Sequence, residues 1–186
     1  IGYDLDEAAF LLRSGPIERQ LLPFETFEQT WARGGNWAFV VLPPGRLATS
    51  ADEAQTTHAL VAFEKTAPPL RAATAYRSAL ARWPGSLTIA MGLGNSLYKA
   101  GALPEAETVF KSAARRHDSA AAWNNLASLL LERQRLREAR DAAQKAVALG
   151  GPTLDSARDT LQQIEARLAA SASPRRKAPR DKAARR

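Results

Sequence analysis

The feature that most constrains this chain is an internal echo. Laid on itself so that Leu70-Arg71-Ala72 falls on Pro104-Glu105-Ala106, the chain goes on matching through Ala72, Ala106 and Ala139. Tyr76, Phe110 and Ala143 form a second series, and Ala79, Ala113 and Ala146 a third; the second step in each falls one position short of the first. Upstream in each unit, Leu93 matches Leu126, Gly94 matches Ala127 and Leu97 matches Leu130, while Pro84, Asp118 and Gly151 mark unit ends. A chain that repeats small and large residues at a fixed period builds one supersecondary unit several times over, and each unit buries its apolar face only by stacking on the next.

A period of about 34 residues with small side chains at set places is the signature of the tetratricopeptide repeat, a pair of antiparallel helices. Its logic is steric. Gly94 and Ala127 in the first helix, and Ala106 and Ala113 in the second, allow close approach, and Leu93, Leu97 and Phe110 fill the space between. Ala-Trp-Asn-Asn-Leu-Ala at 122–127 follows the repeat consensus, with Trp123 as the aromatic of the first helix. Gly101 falls at the turn between helices of the second unit, a place that often needs a positive φ. The repeats are expected at about 53–86, 87–120 and 120–153, the first being degenerate, with Thr56 at the Trp position and Pro68-Pro69 opening its second helix. Three units are about the minimum for a stable stack. Pro152 can then start a helix over 153–170 that carries Leu154, Ala157, Leu161, Ile164 and Leu168 at alternating spacings of three and four. Such a helix caps the last apolar face and turns its charges outward.

The fold class expected is therefore mainly α: a tetratricopeptide-repeat helical solenoid of three repeats plus a capping helix, over 53–170, preceded by a small α+β remnant. Residues 1–47 differ in composition, with aromatics, Gly and Pro. Ile1 to Asp4 reads as a strand end entered from upstream, and a first residue of Ile rather than Met favours a truncated chain. Phe10-Leu11-Leu12 before Ser14-Gly15-Pro16 predicts a short strand and a turn. Phe24, Phe27 and Trp31 share one helical face up to Gly34-Gly35, and the apolar run Trp37 to Leu42 before Pro43-Pro44-Gly45 predicts a buried strand. So short a segment cannot close a core alone.

The chain is basic, at +7 with a pI near 10.2, but the charge is local. Residues 171–186 hold seven basic residues and one acidic, which leaves positions 1–170 at a net of +1. That tail lacks aromatics for base stacking and an apolar face for membrane insertion, so it reads as a solubilising disordered segment. Nucleic acid or an anionic membrane is a possible partner only through it. With no cysteine, the chain has neither a thiol nucleophile nor zinc–thiolate ligands. His58 and His117 stand apart from any carboxylate or second His at ligand spacing. Ser14-Gly15 lacks the G-x-S-x-G context, and Met91-Gly92-Leu93-Gly94-Asn95 lacks a P-loop Lys. No catalytic, metal or cofactor residue is assignable, and no cofactor is expected.

The inner face of the solenoid is the candidate site. Its expected lining is Thr88, Met91, Asn95, Tyr98 and Lys99 in the second repeat and Ala121, Asn124, Ser128, Leu131 and Glu132 in the third, with Asn125 adjacent. Asn95 and Asn125 stand at the paired Asn positions of repeats that grip a peptide's terminal carboxylate. Met91, however, stands where such a clamp needs a Lys, so docking of a protein or peptide is expected rather than carboxylate capture.

Beyond the repeats, Tyr3-Asp4, Leu12-Arg13-Ser14-Gly15, Phe27-x-x-x-Trp31 and Trp37-Ala38-x-Val40-Val41-Leu42-x-Pro44-Gly45 form an ordered series. With Arg82-Trp83-Pro84, Gly94-Asn95 and Trp123-Asn124-Asn125-Leu126-Ala127, the chain resembles bacterial cysteine peptidase-like proteins. These join a papain-like domain of the bacteriocin-leader-peptidase type to C-terminal tetratricopeptide repeats. The resemblance implies that 1–47 ends the peptidase domain, with the Cys upstream and the His ahead of the Gly-Tyr-Asp strand end, both outside this sequence. Related peptidases orient the His with an Asp where this chain has Arg13-Ser14-Gly15. Three readings follow: a docking module of a cysteine peptidase, a stand-alone adaptor, or a tail-driven binder of nucleic acid or membrane. The compartment stays open between cytoplasm and cell envelope.

Overall fold

The computed structural model describes residues 2–35 and 40–172. It divides into two compact units, Ile1–Val41 and Leu42–Arg186.

In the first unit, β1 (Gly2–Asp4), β2 (Ala9–Ser14) and β3 (Ile17–Pro23) form an antiparallel sheet in the order β1-β2-β3. Tyr3 pairs with Phe10 and Phe10 with Leu22. Gly15, at φ 57, makes the hairpin turn. Pro23 then leads into α1 (Phe24–Arg33), since a Pro without an N–H costs a helix start nothing. Phe10 meets Phe24 and Phe27 at ring separations of 4.7 and 4.5 Å, and Phe27 meets Trp31 at 6.0 Å. These aromatic contacts hold helix to sheet, yet Ala9 is the only buried apolar residue among those described in this unit.

The expected strand over Trp37–Leu42 needs correction. Trp37–Phe39 lie outside the described residues, while Val40, Val41 and Leu42 form no strand and are 67%, 84% and 39% exposed. An apolar run becomes a buried strand only where a ladder and a covering layer meet it. This one spans the division between units and stops at two prolines. The third strand of the sheet is β3 instead, a segment without a strand pattern of its own.

The second unit is helical: α2 (Glu53–Glu64), α3 (Pro69–Arg82), α4 (Leu87–Lys99), α5 (Leu103–His117), α6 (Ala120–Glu132), α7 (Leu136–Leu149) and α8 (Leu154–Ala172). Starts and stops follow local chemistry. Asp52 accepts from Gln55 N at 2.7 Å to cap α2, Ser119 caps α6 through Ala122 N, and prolines occupy the first turns of α3 and α5. Gly101 (φ 76) and Gln134 (φ 60) make the same left-handed turn in successive helix pairs, with Ala102 N donating to Leu97 O and Arg135 N to Leu130 O.

Tyr76, Ile89, Leu97, Phe110 and Leu129 are among the most deeply buried large side chains of a continuous core, which Leu93, Trp123, Leu126 and Leu130 extend and alanines fill. Ala157 and Ile164 of α8 are fully buried, with Leu161 and Leu168 packed beside them. Residues 42–52, assigned by composition to the first segment up to 47, belong to this unit. Leu47 packs on its core, and Arg82 donates to the carbonyls of Ala48 and Thr49 at 2.8 and 2.9 Å.

Candidate peptide-docking face

The first helices of the pairs, α2, α4 and α6, stand side by side, joined by side-chain bonds spaced at nearly one repeat. Lys99 Nζ pairs with Glu64 Oε1 at 2.8 Å, from α4 to α2. Asn125 Nδ2 donates to Asn95 Oδ1 at 3.1 Å, and the Tyr98 hydroxyl donates to Glu132 Oε2 at 2.6 Å, both between α4 and α6. Tyr76 of α3 reaches the same carboxylate as Lys99, its hydroxyl 3.0 Å from Glu64 Oε2.

The expected site residues separate into four groups. Asn95, Tyr98, Lys99, Asn125 and Glu132 are brought together in these cross-repeat bonds. Thr88 and Ser128 are exposed with no side-chain partner among the described residues, and Met91 is half-buried against the core. Asn124 is half-buried with its Oδ1 fully enclosed and unpartnered. Ala121 is half-buried. Leu131, also expected on this face, is only 7% exposed and belongs to the core.

Glu64 and Tyr76 join the site without having been singled out by sequence. The signal existed for Glu64, since it stands one full repeat period before Tyr98 and so occupies the position of Tyr98 in the first repeat.

The Asn pair has the chemistry of a peptide clasp. Its one mutual bond leaves Asn95 Nδ2 and Asn125 Oδ1, a donor and an acceptor, without protein partners among the described residues. Extended backbone needs both. Below them, Tyr98 is 41% exposed and offers an aromatic ledge. Its hydroxyl is pushed above its ordinary titration range, chiefly by the bond to Glu132, so it stays a donor. Burial, then Glu64, raises the Tyr76 hydroxyl further.

No group of three or more His, Cys, Asp and Glu among the described residues could hold a metal ion, and no described helix is long and apolar enough to cross a membrane. His58 is exposed and His117 half-buried. The basic stretch 173–186 lies outside the described residues.

Residues 69–119 and 104–152 match the tetratricopeptide repeat family. The class of fold is thereby defined: a mainly helical chain carrying tetratricopeptide repeats, with a small three-stranded sheet at its N-terminus. A search of curated protein sequences finds no match. Solved structures share the fold. The Yersinia enterocolitica type III secretion translocator chaperone SycD is similar at a TM-score of 0.59 and 15% identity, covering 66% of this chain and 90% of that one. The same chaperone in complex with a peptide of the translocator YopD gives 0.58 and 15%, over 65% and 99%. The first tetratricopeptide domain of Spaghetti (RPAP3), bound to the HSP90 peptide SRMEEVD, gives 0.57 and 17%, over 66% and 99%.

Proposed function

We propose that the face built by α2, α4 and α6 docks an extended peptide segment of a partner protein. The observation that carries this is the Asn95–Asn125 pair, which presents one donor and one acceptor free among the described residues, a turn from the Tyr98–Glu132 and Lys99–Glu64 bonds. Backbone hydrogen bonds would supply affinity, and the Tyr98 ledge with half-buried Met91 would select an apolar side chain. Support comes from neighbours of the same fold that hold peptides of YopD and HSP90. With Met91 in place of a cation, the pair reads as a backbone clasp and not a carboxylate clamp.

A displayed library of random peptides, selected on the full chain, tests this reading. The selected peptides should bind the Asn125→Ala protein about tenfold more weakly in fluorescence anisotropy, as expected for a lost buried hydrogen bond. Binding to the Asn95→Ala and Asn125→Ala proteins as tight as to the parent would contradict it.

We further infer that residues 1–47 end a papain-like peptidase domain of a bacterial parent protein, which the repeats would serve as a docking module. Supporting this are apolar side chains left at least half exposed on both faces of the sheet (Tyr3, Leu21), at its hairpin end (Ile17) and in the turn after β1 (Leu5), with Ala9 alone buried among the described residues of this unit. Such a surface suits an inner layer of a larger core. The nucleophile and its base would lie upstream, so this reading gives the present chain no catalytic residue. Reading the upstream coding sequence tests it: a Cys, and a His just before Ile1, are expected, and absence of both would refute it.

A further inference from the structure

The outward side of α5 carries a surface of different chemistry. An open groove of about 650 Å³ is lined by Glu107, Thr108, Lys111, Ser112, Arg115 and Arg116. Lys111 and Arg115 stand one turn apart, as do Thr108 and Ser112, so cations and hydroxyls run side by side along it. The only carboxylate in this lining is already claimed. Glu107 accepts from Arg133 and, at 2.7 and 2.6 Å, from Arg135 Nη1. Arg135 is braced in turn by Glu138 at 2.7 and 2.5 Å. Arg116 donates to the Pro84 carbonyl at 2.7 Å, which ties it to the boundary between repeats.

Among the described residues Lys111 and Arg115 make no hydrogen bond or close ion pair, although the field of Lys111 reaches Glu138. The lining carries three cations (Lys111, Arg115, Arg116) against one carboxylate, Glu107, which Arg133 and Arg135 already hold. Cations in a last helical turn are ordinary, because they offset the helix dipole. Arg115 and Arg116 fit that account, but Lys111 lies before the last turn. The surplus is aimed at a groove, and the groove favours an anionic occupant. No aromatic side chain lines it, so nothing there would stack a nucleobase. The chain's own residues 171–186, seven basic against one acidic, would be repelled. An acidic segment of another protein fits both constraints.

We propose that this α5 groove docks an acidic peptide segment of a partner protein, with Lys111 and Arg115 pairing its carboxylates and Ser112 donating beside them. The surface is separate from the α4–α6 face, and binding there is independent of the Asn pair.

The test uses a fluorescently labelled hexaglutamate peptide and the full chain at low salt, read by anisotropy. Lys111→Glu with Arg115→Glu should weaken binding by about tenfold or more. Both residues are exposed, and an unchanged thermal melt will show that the variant folds. Replacing Arg175, Arg176 and Lys177 by Gln should leave most of the affinity, and Asn125→Ala all of it. The proposal is overturned if the groove variant binds like the parent, or if the tail variant loses binding. It is also overturned if a single-stranded oligonucleotide of equal charge binds more tightly than the peptide and depends on the same two residues.

Discussion

The Phe110 ring lies where a side chain on Gly94 would begin, a Cβ there standing 2.7 Å from Phe110 Cδ1. One helix of the second repeat is therefore glycine at this point because its partner helix is aromatic. In the third repeat, Ala127 stands at the position of Gly94, and Ala143 at that of Phe110, so a small pair replaces an unequal one. Gly94→Ala gains about 1 kcal/mol of helix propensity but forces a fully buried ring to move, at a cost of about 1–3 kcal/mol. Urea unfolding should show net destabilisation, and Phe110→Leu in the same chain should reduce the penalty. A Gly94→Ala protein more stable than the parent would show the ring to be free to yield.

Arg82 fixes the segment that enters the helical unit. Its two guanidinium nitrogens donate to the carbonyls of Ala48 and Thr49, and the same group lies 4.7 Å over the Trp83 ring. Lys cannot supply that fork. Arg82→Lys and Arg82→Ala should both speed proteolytic cleavage within 42–52 and leave α4–α8 protected. Unchanged cleavage in both variants would remove Arg82 from this role.

Acid should weaken the brace on Arg135, the residue that ties the third repeat to Glu107 of the second. The bond from Arg135, with added fields from Lys111 and Arg133, holds the Glu138 carboxyl below its ordinary value. A depressed folded-state value means that its contribution is complete above the ordinary carboxylate range and is lost as pH falls through the lower folded value. Between about pH 6 and about pH 3, the parent should lose more Tm than Glu138→Gln does. Parallel curves would contradict this.

On the proposed docking face, Tyr98 is expected to serve binding more than the fold. Its bond to Glu132 is between exposed groups and contributes at most about 1 kcal/mol. Tyr98→Phe should melt close to the parent while altering affinity for peptides selected on it, whereas Tyr98→Ala should lose binding through the missing ledge. A large fall in Tm with Tyr98→Phe would show a structural role instead.

The repeats were legible because one steric rule, small against large, is written into the chain at a fixed period, and a steric rule survives substitution of individual residues. The sheet was less so. In β3, Glu18, Arg19 and Gln20 follow one another without alternation, and the strand is made by its hairpin partner rather than by its own pattern. Val40-Val41-Leu42 misled for the opposite reason, since an apolar run reads alike whether covered or exposed. On the docking face, Asn95, Tyr98 and Glu132 could be named from register, whereas Glu64 lay hidden in the degenerate first repeat. The α5 groove could not be read at all, because a net of +1 over positions 1–170 averages a local surplus away.

The most direct measurement of the central claim is amide hydrogen exchange on the full chain, with and without a peptide selected on it from a random library. Docking on the proposed face predicts slowed exchange in α4 around Asn95–Lys99 and in α6 around Asn125–Glu132. Slowing confined to residues 2–35 or to α5, with α4 and α6 unchanged, would contradict it.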